Sequence, residues 1–366
     1  MSEDLIKPNK SQLIVLPAFH GDCMIVKTFD KFDNPFTILI DGGTVSTFEH
    51  SLKKALKTIP FLDIVVLTHI DSDHIGGLIK YVKSKDFKGD QIGRYWMNLK
   101  NLNFITIGDS ISYNQAKSFE EILIAKGENK NKCSENIYVG NEMMALPKGI
   151  KIEILSPTLQ VLKELNKKWP ELNDEFKRKL EDISVSDFKS SQLERGSLEH
   201  LAKLDDQPEK SILQDLFNSS SIAFVLTTFD LSILFLADSH PSLIKEQMGL
   251  LGYSLKNKLK VDLVKVSHHG SKNNTMNDVL DMIECDRFII STNGGSSSHT
   301  HPDRETIARI IHHPERVKGG FANLRTIYLN YAMKSIENKA GKFVAKIDFE
   351  TGNWQLFDKV TIFENE

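Results

Sequence analysis

The sequence LTHIDSDHIGG, Leu67–Gly77, places two histidines and two aspartates within six residues, at the end of the apolar run DIVVL and before a glycine pair. A looped backbone turns His69 and Asp71 to one side and leaves Asp73 and His74 to face a second point nearby. Imidazole nitrogens and carboxylate oxygens at this spacing suit two metal ions that share a short loop. A polar turn that caps the following helix is the alternative, but a cap needs one aspartate and no histidine.

Polar residues also stand at the ends of other apolar runs that are typical of β-strands. Asp41 follows FTILI, and Asp238 follows LSILFLA. His268 and His269 follow VDLVKV, and His301 lies a little beyond RFIIS. If these strand ends converge on one edge of a sheet, the five side chains and the histidine loop share one cleft.

The residue types suggest roles within that cleft. A carboxylate at Asp238 is placed to bridge two ions, although an aspartate after a strand is also a common turn former. Adjacent residues on an extended strand point to opposite sides, so we expect one histidine of the pair, His268, to be a ligand. We then expect His269 and Ser271 to contact a ligand or the substrate. Two hydrogen-bonded surface histidines are the alternative.

Two further residues are candidates for supporting the ligands. Asp41 precedes Gly42-Gly43, and glycines let the backbone approach a crowded site, so we expect Asp41 to orient a ligand. His20 begins the sequence HGD. That sequence predicts either a similar supporting residue or only a hairpin turn.

The order of elements indicates a mixed α/β fold. Short β-branched runs separated by turn residues fill the first third, and strand–helix units follow. The segment 159–216 contains 13 acidic and 10 basic residues and predicts a helical insertion, partly solvated around SSQLERGS. Strands then resume, so residues 1–366 are predicted to form one domain.

Composition and charge set outer limits on function. Hydrophobic residues make up 40% of the chain and charged residues 26%, which is typical of a globular protein. The net charge of -3 means that any basic surface is local. Cys23, Cys133 and Cys285 form no CxxC pair and fit a reducing compartment. The polar start MSEDLIKPNK and the absence of an apolar run of ~18 residues predict a cytoplasmic protein that does not enter a membrane.

Taken together, these motifs resemble the metallo-β-lactamase superfamily, whose hallmark is HxHxDH followed by distant aspartate and histidine ligands. The likeness is closer to the branch that includes the hydrolase domain of the ComEC competence proteins. It is carried by THIDSDHIGG, GDC, NSSSIAFVL, HHGS and the later HP. The resemblance implies an αβ/βα four-layer sandwich with metals at one edge, into which 159–216 is inserted.

The resemblance also implies a set of metal ligands. His69 and Asp71 would bind the first ion. Asp73, His74 and His268 would bind the second ion, and Asp238 would bridge the two. Asp71 stands where many relatives have histidine, and the region 218–221 offers no match to a further histidine ligand. Because oxygen ligands favour harder ions, we expect one or two Zn²⁺ ions, with Mn²⁺ as an alternative and a weak first site.

The resemblance and the residue chemistry both favour hydrolysis by a metal-bound hydroxide. Asp73 or Asp238 would orient that hydroxide, and His301 would protonate the leaving group or hold a phosphate oxygen. A phosphodiesterase or nuclease is the leading hypothesis. The stretch Pro302–Lys342, with eight basic and four acidic residues, gives weak support to a nucleic-acid substrate.

Two other hypotheses stay open. A hydrolase of a small substrate, such as a cyclic nucleotide, an ester or a lactam, is favoured if the insertion narrows the cleft. A non-catalytic, metal-binding partner subunit is suggested by the incomplete first metal site. In each case the insertion 159–216 is expected to face the cleft or a protein partner.

Overall fold

Two seven-stranded mixed sheets form the body of the molecule. The computed structural model describes residues 10–98, 103–107, 110–134, 137–141, 145–168, 190–204, 207–296 and 300–365. The strands are β1 Gln12–Val15, β2 Met24–Phe29, β3 Pro35–Ile40, β4 Leu62–Val66, β5 Ile92–Trp96, β6 Asn103–Ile107, β7 Ser110–Ser118, β8 Cys133–Ser134, β9 Lys151–Ser156, β10 Ala223–Thr227, β11 Ser232–Phe235, β12 Leu259–Lys260, β13 Leu263–Lys265, β14 Ile283–Glu284, β15 Arg287–Ile290, β16 Arg325–Leu329, β17 Trp354–Phe357 and β18 Ile362–Glu364.

The helices connect these strands and cover the outer faces of the sheets. They are α1 Val45–Thr47, a π-helical stretch Phe48–Leu52, α2 Lys53–Leu56, α3 Ser72–Lys83, α4 Phe119–Ala125, α5 159–168, α6 Leu198–Leu201, α7 Leu216–Ser219, α8 Pro241–Leu250, α9 Asn277–Leu280, α10 Arg304–Ile311, α11 Pro314–Lys318 and α12 Met333–Ala340. Short 3₁₀ turns lie at Gly89–Gln91, Lys130–Lys132, Gln192–Arg195, Ser267–Gly270 and Lys346–Glu350.

The first sheet has the strand order β18-β1-β2-β3-β4-β5-β8, and the second has the order β17-β16-β15-β13-β11-β10-β9. Short turns join β1, β2 and β3, and these strands run antiparallel. From β3 to β5, and from β11 to β17, neighbouring strands are parallel. Parallel neighbours need long crossovers, and helices such as α3 and α10 lie in these connections. The strand β18 pairs with β1 and extends the first sheet.

The apolar residues divide into three buried clusters, one between the sheets and one outside each. Ile64 of β4 and Ile233 of β11 belong to the cluster that fills the space between the sheets. Leu78 of α3 belongs to the cluster on the outer face of the first sheet, and Ile307 of α10 to the cluster on the outer face of the second. The predicted four-layer αβ/βα sandwich is therefore confirmed.

The parallel strands explain why the candidate residues come together. Asp41 lies directly beyond β3, and His69 lies three residues beyond the end of β4. Asp238 and His268 follow β11 and β13, which are parallel neighbours in the second sheet. Parallel strands end at a common edge, so each sheet brings its own polar residues to one edge of the sandwich.

Part of the predicted insertion 159–216 lies outside the described residues, so its extent stays a prediction. One described residue within it, Gln192, is almost fully buried. Its side chain donates to the carbonyls of Pro302 (3.0 Å) and Ala340 (2.9 Å) and accepts from the backbone N–H of Arg304 (2.8 Å). The sequence suggested a solvated segment here, but these bonds tie Gln192 to the second sheet's helices. Among the described helices, none is long and apolar enough to cross a membrane.

Candidate metal centre

The histidine loop runs from the end of β4 into α3. Asp71 is the residue before α3, and its backbone carbonyl accepts from the N–H groups of His74 (2.9 Å) and Ile75 (3.0 Å). Within this described helix start, the Asp71 side chain makes no capping hydrogen bond. The carboxylate is therefore available to the site, and the simple capping interpretation of the motif loses its support.

Glycines allow neighbouring loops to press against the histidine loop. A Cβ on Gly77 would lie 1.9 Å from the carbonyl oxygen of Gly42, and a Cβ on Gly21 would lie 1.8 Å from that of Asp73. Both gaps are too short for any side chain. The backbone N–H of Gly42 donates to the carbonyl of His74 (2.7 Å), which fixes the loop against the end of β3.

Four imidazoles surround the carboxylate of Asp238. Its Oδ2 atom lies 3.5 Å from Nε2 of His74, 3.6 Å from that of His268, 3.8 Å from that of His69 and 3.9 Å from that of His269. Asp238, His69, His74 and His269 are buried, and His268 is partly exposed. The carboxylate therefore occupies the middle of the cluster, where the sequence placed a bridging ligand.

Two groups of side chains bring their nitrogen and oxygen atoms within 4.8 Å of one another, as a metal ion requires. One group is His69, His74 and Asp238, and the other is Asp73, His74 and His269. Nε2 of His269 lies 3.4 Å from Oδ2 of Asp73. The sequence assigned His268 to the second ion, whereas the structure groups His269 with Asp73 and His74.

The local backbone explains this difference. His268 has φ 45° and ψ 53°, and His269 has φ 55° and ψ 18°. Both residues are left-handed, so the alternation of an extended strand does not apply to them. Both rings consequently approach Asp238 from the same short segment.

Hydrogen bonds at Nδ1 orient all four rings, and at His69 the partner is Oγ1 of Thr68 (3.1 Å). Nδ1 of His74 lies 2.8 Å from Oδ2 of Asp41, and Nδ1 of His269 lies 2.9 Å from the carbonyl oxygen of Ser291. Nδ1 of His268 lies 3.0 Å from Oδ1 of Asn274. Acceptors at Nδ1 fix the tautomer and leave Nε2 for a metal. Asp41 thus contacts His74 of the cluster, and its role in orienting a metal ligand stays a prediction.

Burial and charge separate the pKa values of the histidines. Burial, with help from His74, lowers the pKa of His69 to about 3, so this imidazole is neutral. Burial also lowers the pKa of His74, but the carboxylates of Asp238 and Asp41 outweigh it and raise that pKa well above its ordinary value. Without a metal, His74 therefore carries the positive charge that balances its carboxylate neighbours.

Burial and neighbouring charges also shift the carboxyl groups. Burial and the charge of Asp73 raise the pKa of Asp71 to about 7. Burial raises the pKa of Asp238, but the charges of His268 and His74 outweigh it and hold that pKa well below the ordinary value. Asp238 is thus an anion in a buried place, where a cation must accompany it.

The donor set fits a divalent metal. Among the described residues, Nε2 of His69, His74 and His269 and Oδ1 of Asp238 and Asp71 are buried and have no hydrogen-bond partner. Buried polar atoms without partners are rare, and a group of them calls for a ligand. Imidazole nitrogens with carboxylate oxygens suit zinc and manganese, so these residues are able to hold such an ion.

The remaining predicted residues line the cavity beside the centre. This cavity, of 610 Å³, is bordered by His20, Ser271, His301 and residues of the 207–218 segment. Ser271 is buried, and its Oγ accepts from the backbone N–H of Asn273 (3.2 Å). Nδ1 of His301 lies 3.4 Å from Oδ2 of Asp303, and burial lowers the pKa of His301.

Sequence reasoning missed a buried ion pair beneath the centre. Nζ of Lys265 lies 2.6 Å from Oδ2 of Asp22, and both side chains are buried. Oδ1 of Asp22 lies 3.7 Å from Nδ1 of His269. The sequence GDC offered the aspartate as a candidate only through its neighbour His20, and the lysine in VDLVKV carried no signal of its own.

A second missed residue is Asn218, which lines the same cavity and is buried. Its Nδ2 donates to the carboxylate of Asp215 (3.1 Å), and its Oδ1 has no partner among the described residues. A carboxylate only accepts hydrogen bonds, so this contact fixes which end of the amide carries the nitrogen. The region 218–221, which lacks the expected histidine, therefore offers Oδ1 of Asn218 instead.

The protein is thus a four-layer α/β sandwich with a cluster of histidines and aspartates at one edge. Residues 17–101 match the family model described as the metallo-beta-lactamase superfamily. This segment includes Asp41 and the histidine loop. A comparison with curated proteins finds no match.

Two solved structures are similar to the chain. A mutant of CmlA beta-hydroxylase has 12% sequence identity and a TM-score of 0.38, and the match covers 98% of this chain and 54% of that one. A long form of RNase Z from yeast has 16% identity and a TM-score of 0.39, with 100% and 42% covered. The chain therefore spans about half the length of these structures, or less.

Proposed function

We propose that this protein is a metal-dependent hydrolase of phosphodiester bonds, with its active site at Asp238. The observation that carries the proposal is the convergence of three buried Nε2 atoms, on His69, His74 and His269, around one carboxylate. The match of residues 17–101 to the superfamily model supports it. A divalent metal in such a site supplies Lewis acidity and activates water near neutral pH.

The residues of the chain prepare the site for this reaction. Burial raises the pKa of Asp73, but the neighbouring imidazoles of His269 and His74 outweigh it and keep that pKa well below its ordinary value. Asp73 therefore stays ionised and can accept a hydrogen bond from the attacking water. Oδ1 of Asp238, which has no partner among the described residues, is a second acceptor.

His301 is the candidate for proton transfer to the leaving group. Its Nδ1 faces Asp303, so Nε2 is the nitrogen that is left for the substrate. Asp303 is itself held by the backbone N–H of Lys272 (2.9 Å) and by Arg195 (3.4 Å). A ring fixed in this way can receive a proton and return it at one position, which is what general acid–base catalysis requires.

Fewer basic residues are free to contact a nucleic acid than the sequence suggested. Arg304, Arg309 and Arg325, three of the eight basic residues between Pro302 and Lys342, are buried. Arg304 binds Asp348 (2.7 Å), and Arg309 donates to the carbonyl of Thr275 (2.8 Å). These side chains support the fold and cannot also contact phosphates.

A small-substrate hydrolase is the second candidate, and one observation favours it. Residues 208–216, at the end of the predicted insertion, border the 610 Å³ cavity and include Glu209 and Asp215. A walled cavity of this size is typical of sites for small molecules. A substrate panel should therefore include cyclic nucleotides beside nucleic acids.

The experiment is hydrolysis of bis-p-nitrophenyl phosphate by metal-stripped protein that is resupplied with Zn²⁺ or Mn²⁺. We expect turnover only with metal, and a loss of at least about 100-fold in His74→Ala. The matched control is His200→Ala, which removes an exposed histidine of α6. Absence of turnover by folded, metal-loaded protein would refute the proposal and favour a different bond or a non-catalytic role.

A further inference from the structure

A second cavity adjoins the one at the metal centre. It has a volume of 370 Å³, and the two cavities share His20, Gly295 and Ser296 as common lining residues. His20 therefore stands between the metal centre and a second chamber. A substrate that extends past His20 from the metal centre enters this chamber.

The two cavities differ in charge. Four carboxylates, of Asp71, Asp73, Glu209 and Asp215, border the cavity at the metal centre together with Lys210. The second cavity is lined by Phe19, His20, Thr44, Val45, Ser46, Asn293, Gly295, Ser296, Thr300 and Lys339. Among these described lining residues there is no carboxylate, and Lys339 carries the only fixed charge. Hydroxyl and amide groups with one ammonium suit an anion.

Close packing sets the position of Lys339. Gly294 has φ 106°, and a Cβ at this residue would lie 2.6 Å from the carbonyl oxygen of Ile336 and 2.8 Å from Cβ of Lys339. Only glycine lets the loop after β15 approach α12 this closely. The approach puts Cβ of Lys339 beside Gly294, whose neighbour Gly295 lines both cavities.

No acidic side chain neutralises this lysine in the described part of the chain. Its side chain takes part in none of the ion pairs found there. Partial burial lowers the pKa of Lys339, and no neighbouring carboxylate raises it. Lys334, on the same helix, is exposed and lines neither cavity, so it serves as a matched comparison.

We propose that the second cavity binds a second phosphate of the substrate, with Lys339 as its cationic contact, while the scissile group lies at the metal centre. The inference rests on the proposed phosphodiesterase function and narrows its substrate class. The substrate then carries at least two phosphate groups, as a short oligonucleotide or a terminally phosphorylated dinucleotide does. Glu209 and Asp215 line the first cavity and not the second.

The test compares substrates with one and two phosphates in Lys339→Ala, Lys339→Glu and Lys334→Ala. For a terminally phosphorylated dinucleotide and for a trinucleotide, we expect Lys339→Ala to raise KM roughly tenfold. Lys339→Glu should raise it further through repulsion. The KM for bis-p-nitrophenyl phosphate and the kcat values should stay unchanged, and Lys334→Ala should behave like the unmodified protein.

The substrates also separate the two sources of the second phosphate. Dependence on Lys339 with a trinucleotide that lacks terminal phosphates identifies an internal phosphodiester. Dependence confined to the phosphorylated dinucleotide identifies a terminal phosphate. Equal KM values in Lys339→Ala and Lys334→Ala would overturn the inference and leave the proposed function intact. Oligonucleotide binding that depends on Lys339, without hydrolysis of any phosphodiester, would overturn the proposed function alone.

Discussion

The imidazole of His74 lies between two carboxylates, with Nδ1 2.8 Å from Oδ2 of Asp41 and Nε2 3.5 Å from Oδ2 of Asp238. Asp41 is held in turn by Thr68, which donates from its backbone N–H (2.8 Å) and its hydroxyl (2.7 Å). The end of β3 therefore fixes a ring that belongs to the loop after β4. A ligand whose orientation is set in advance binds metal more tightly than one that must be ordered on binding.

Asp41→Asn is expected to lower metal affinity by about 10- to 100-fold, because the amide presents one donor where Asp41 only accepts. Competition with a chromophoric chelator measures this affinity in folded protein. Asp63→Asn is the matched control, since Asp63 accepts from the backbone N–H of Thr37 (2.7 Å) at the other end of β4. Equal metal affinities in the two variants would contradict an orienting role for Asp41.

Metal binding is expected to release protons. Burial lowers the pKa values of His74 and His269, but neighbouring carboxylates outweigh burial and raise both values. At His74 these carboxylates belong to Asp238 and Asp41, and at His269 they belong to Asp22 and Asp238. A metal takes the unprotonated imidazole, so affinity should fall as the pH falls. Calorimetric titration in two buffers of different ionisation enthalpy measures the released protons. Identical heats in both buffers would show that the histidines are already neutral.

The same raised pKa values predict how the stability of metal-free protein depends on pH. A histidine whose pKa is higher in the folded state stabilises that state below its unfolded pKa of about 6.5. This contribution is lost as the pH rises through the folded value. Thermal unfolding of stripped protein at about pH 6 and about pH 9 should show that His74→Gln loses less Tm, or gains more, over this interval than the unmodified protein does. The same change of Tm in both proteins would contradict the assignment.

The ion pair of Lys265 and Asp22 makes a separate prediction about stability. Lys265→Met leaves a buried carboxylate without its cation and should lower the free energy of unfolding by about 3–5 kcal/mol. The double variant Asp22→Leu, Lys265→Met removes both charges and should recover a large part of that loss. Urea denaturation of metal-free protein measures both values. If the single and double variants lose the same free energy of unfolding, the loss comes from packing and not from the unpaired charge.

The sequence was sufficient to predict the strand ends but not the local conformation of each ligand. Asp41, His69 and Asp238 each follow a buried apolar run, and parallel strands bring such ends to one edge. The choice between His268 and His269 depends on two left-handed residues, which no alternation pattern reveals. Long-range pairs are equally hidden, since Lys265 and Asp22 are 243 residues apart in the chain.

Gln192 shows the same limit within the predicted insertion. A polar residue in SSQLERGS gives no sign that it will be buried, because its partners are backbone groups near Pro302 and Ala340. Predicting its contacts requires the positions of α10 and α12, which the local sequence does not contain. The metallo-β-lactamase resemblance implied the overall sandwich, while the ComEC-like branch stays a prediction.

Gln192→Leu is expected to lower the free energy of unfolding by about 2–4 kcal/mol, because two carbonyls and one N–H lose their partner in a buried place. Since Pro302 follows His301, we also expect a lower kcat, with a smaller effect on KM. Denaturation and steady-state hydrolysis of bis-p-nitrophenyl phosphate measure the two effects. Gln160→Leu, at an exposed position of α5 in the same insertion and away from the cavity, is the control. Unchanged stability in Gln192→Leu would show that this segment does not anchor the loop.

The pairing of β1 with β18 also has a consequence for how the protein is made. Gln12 and Glu364 are opposite each other in the first sheet, although 352 residues separate them. During synthesis the edge of β1 that pairs with β18 stays unpaired until β18 has left the ribosome. An unpaired strand edge is prone to form hydrogen bonds with other chains. Closing the sheet across such a long separation is slow. The growing chain therefore depends on chaperone protection in the interval before β18 emerges.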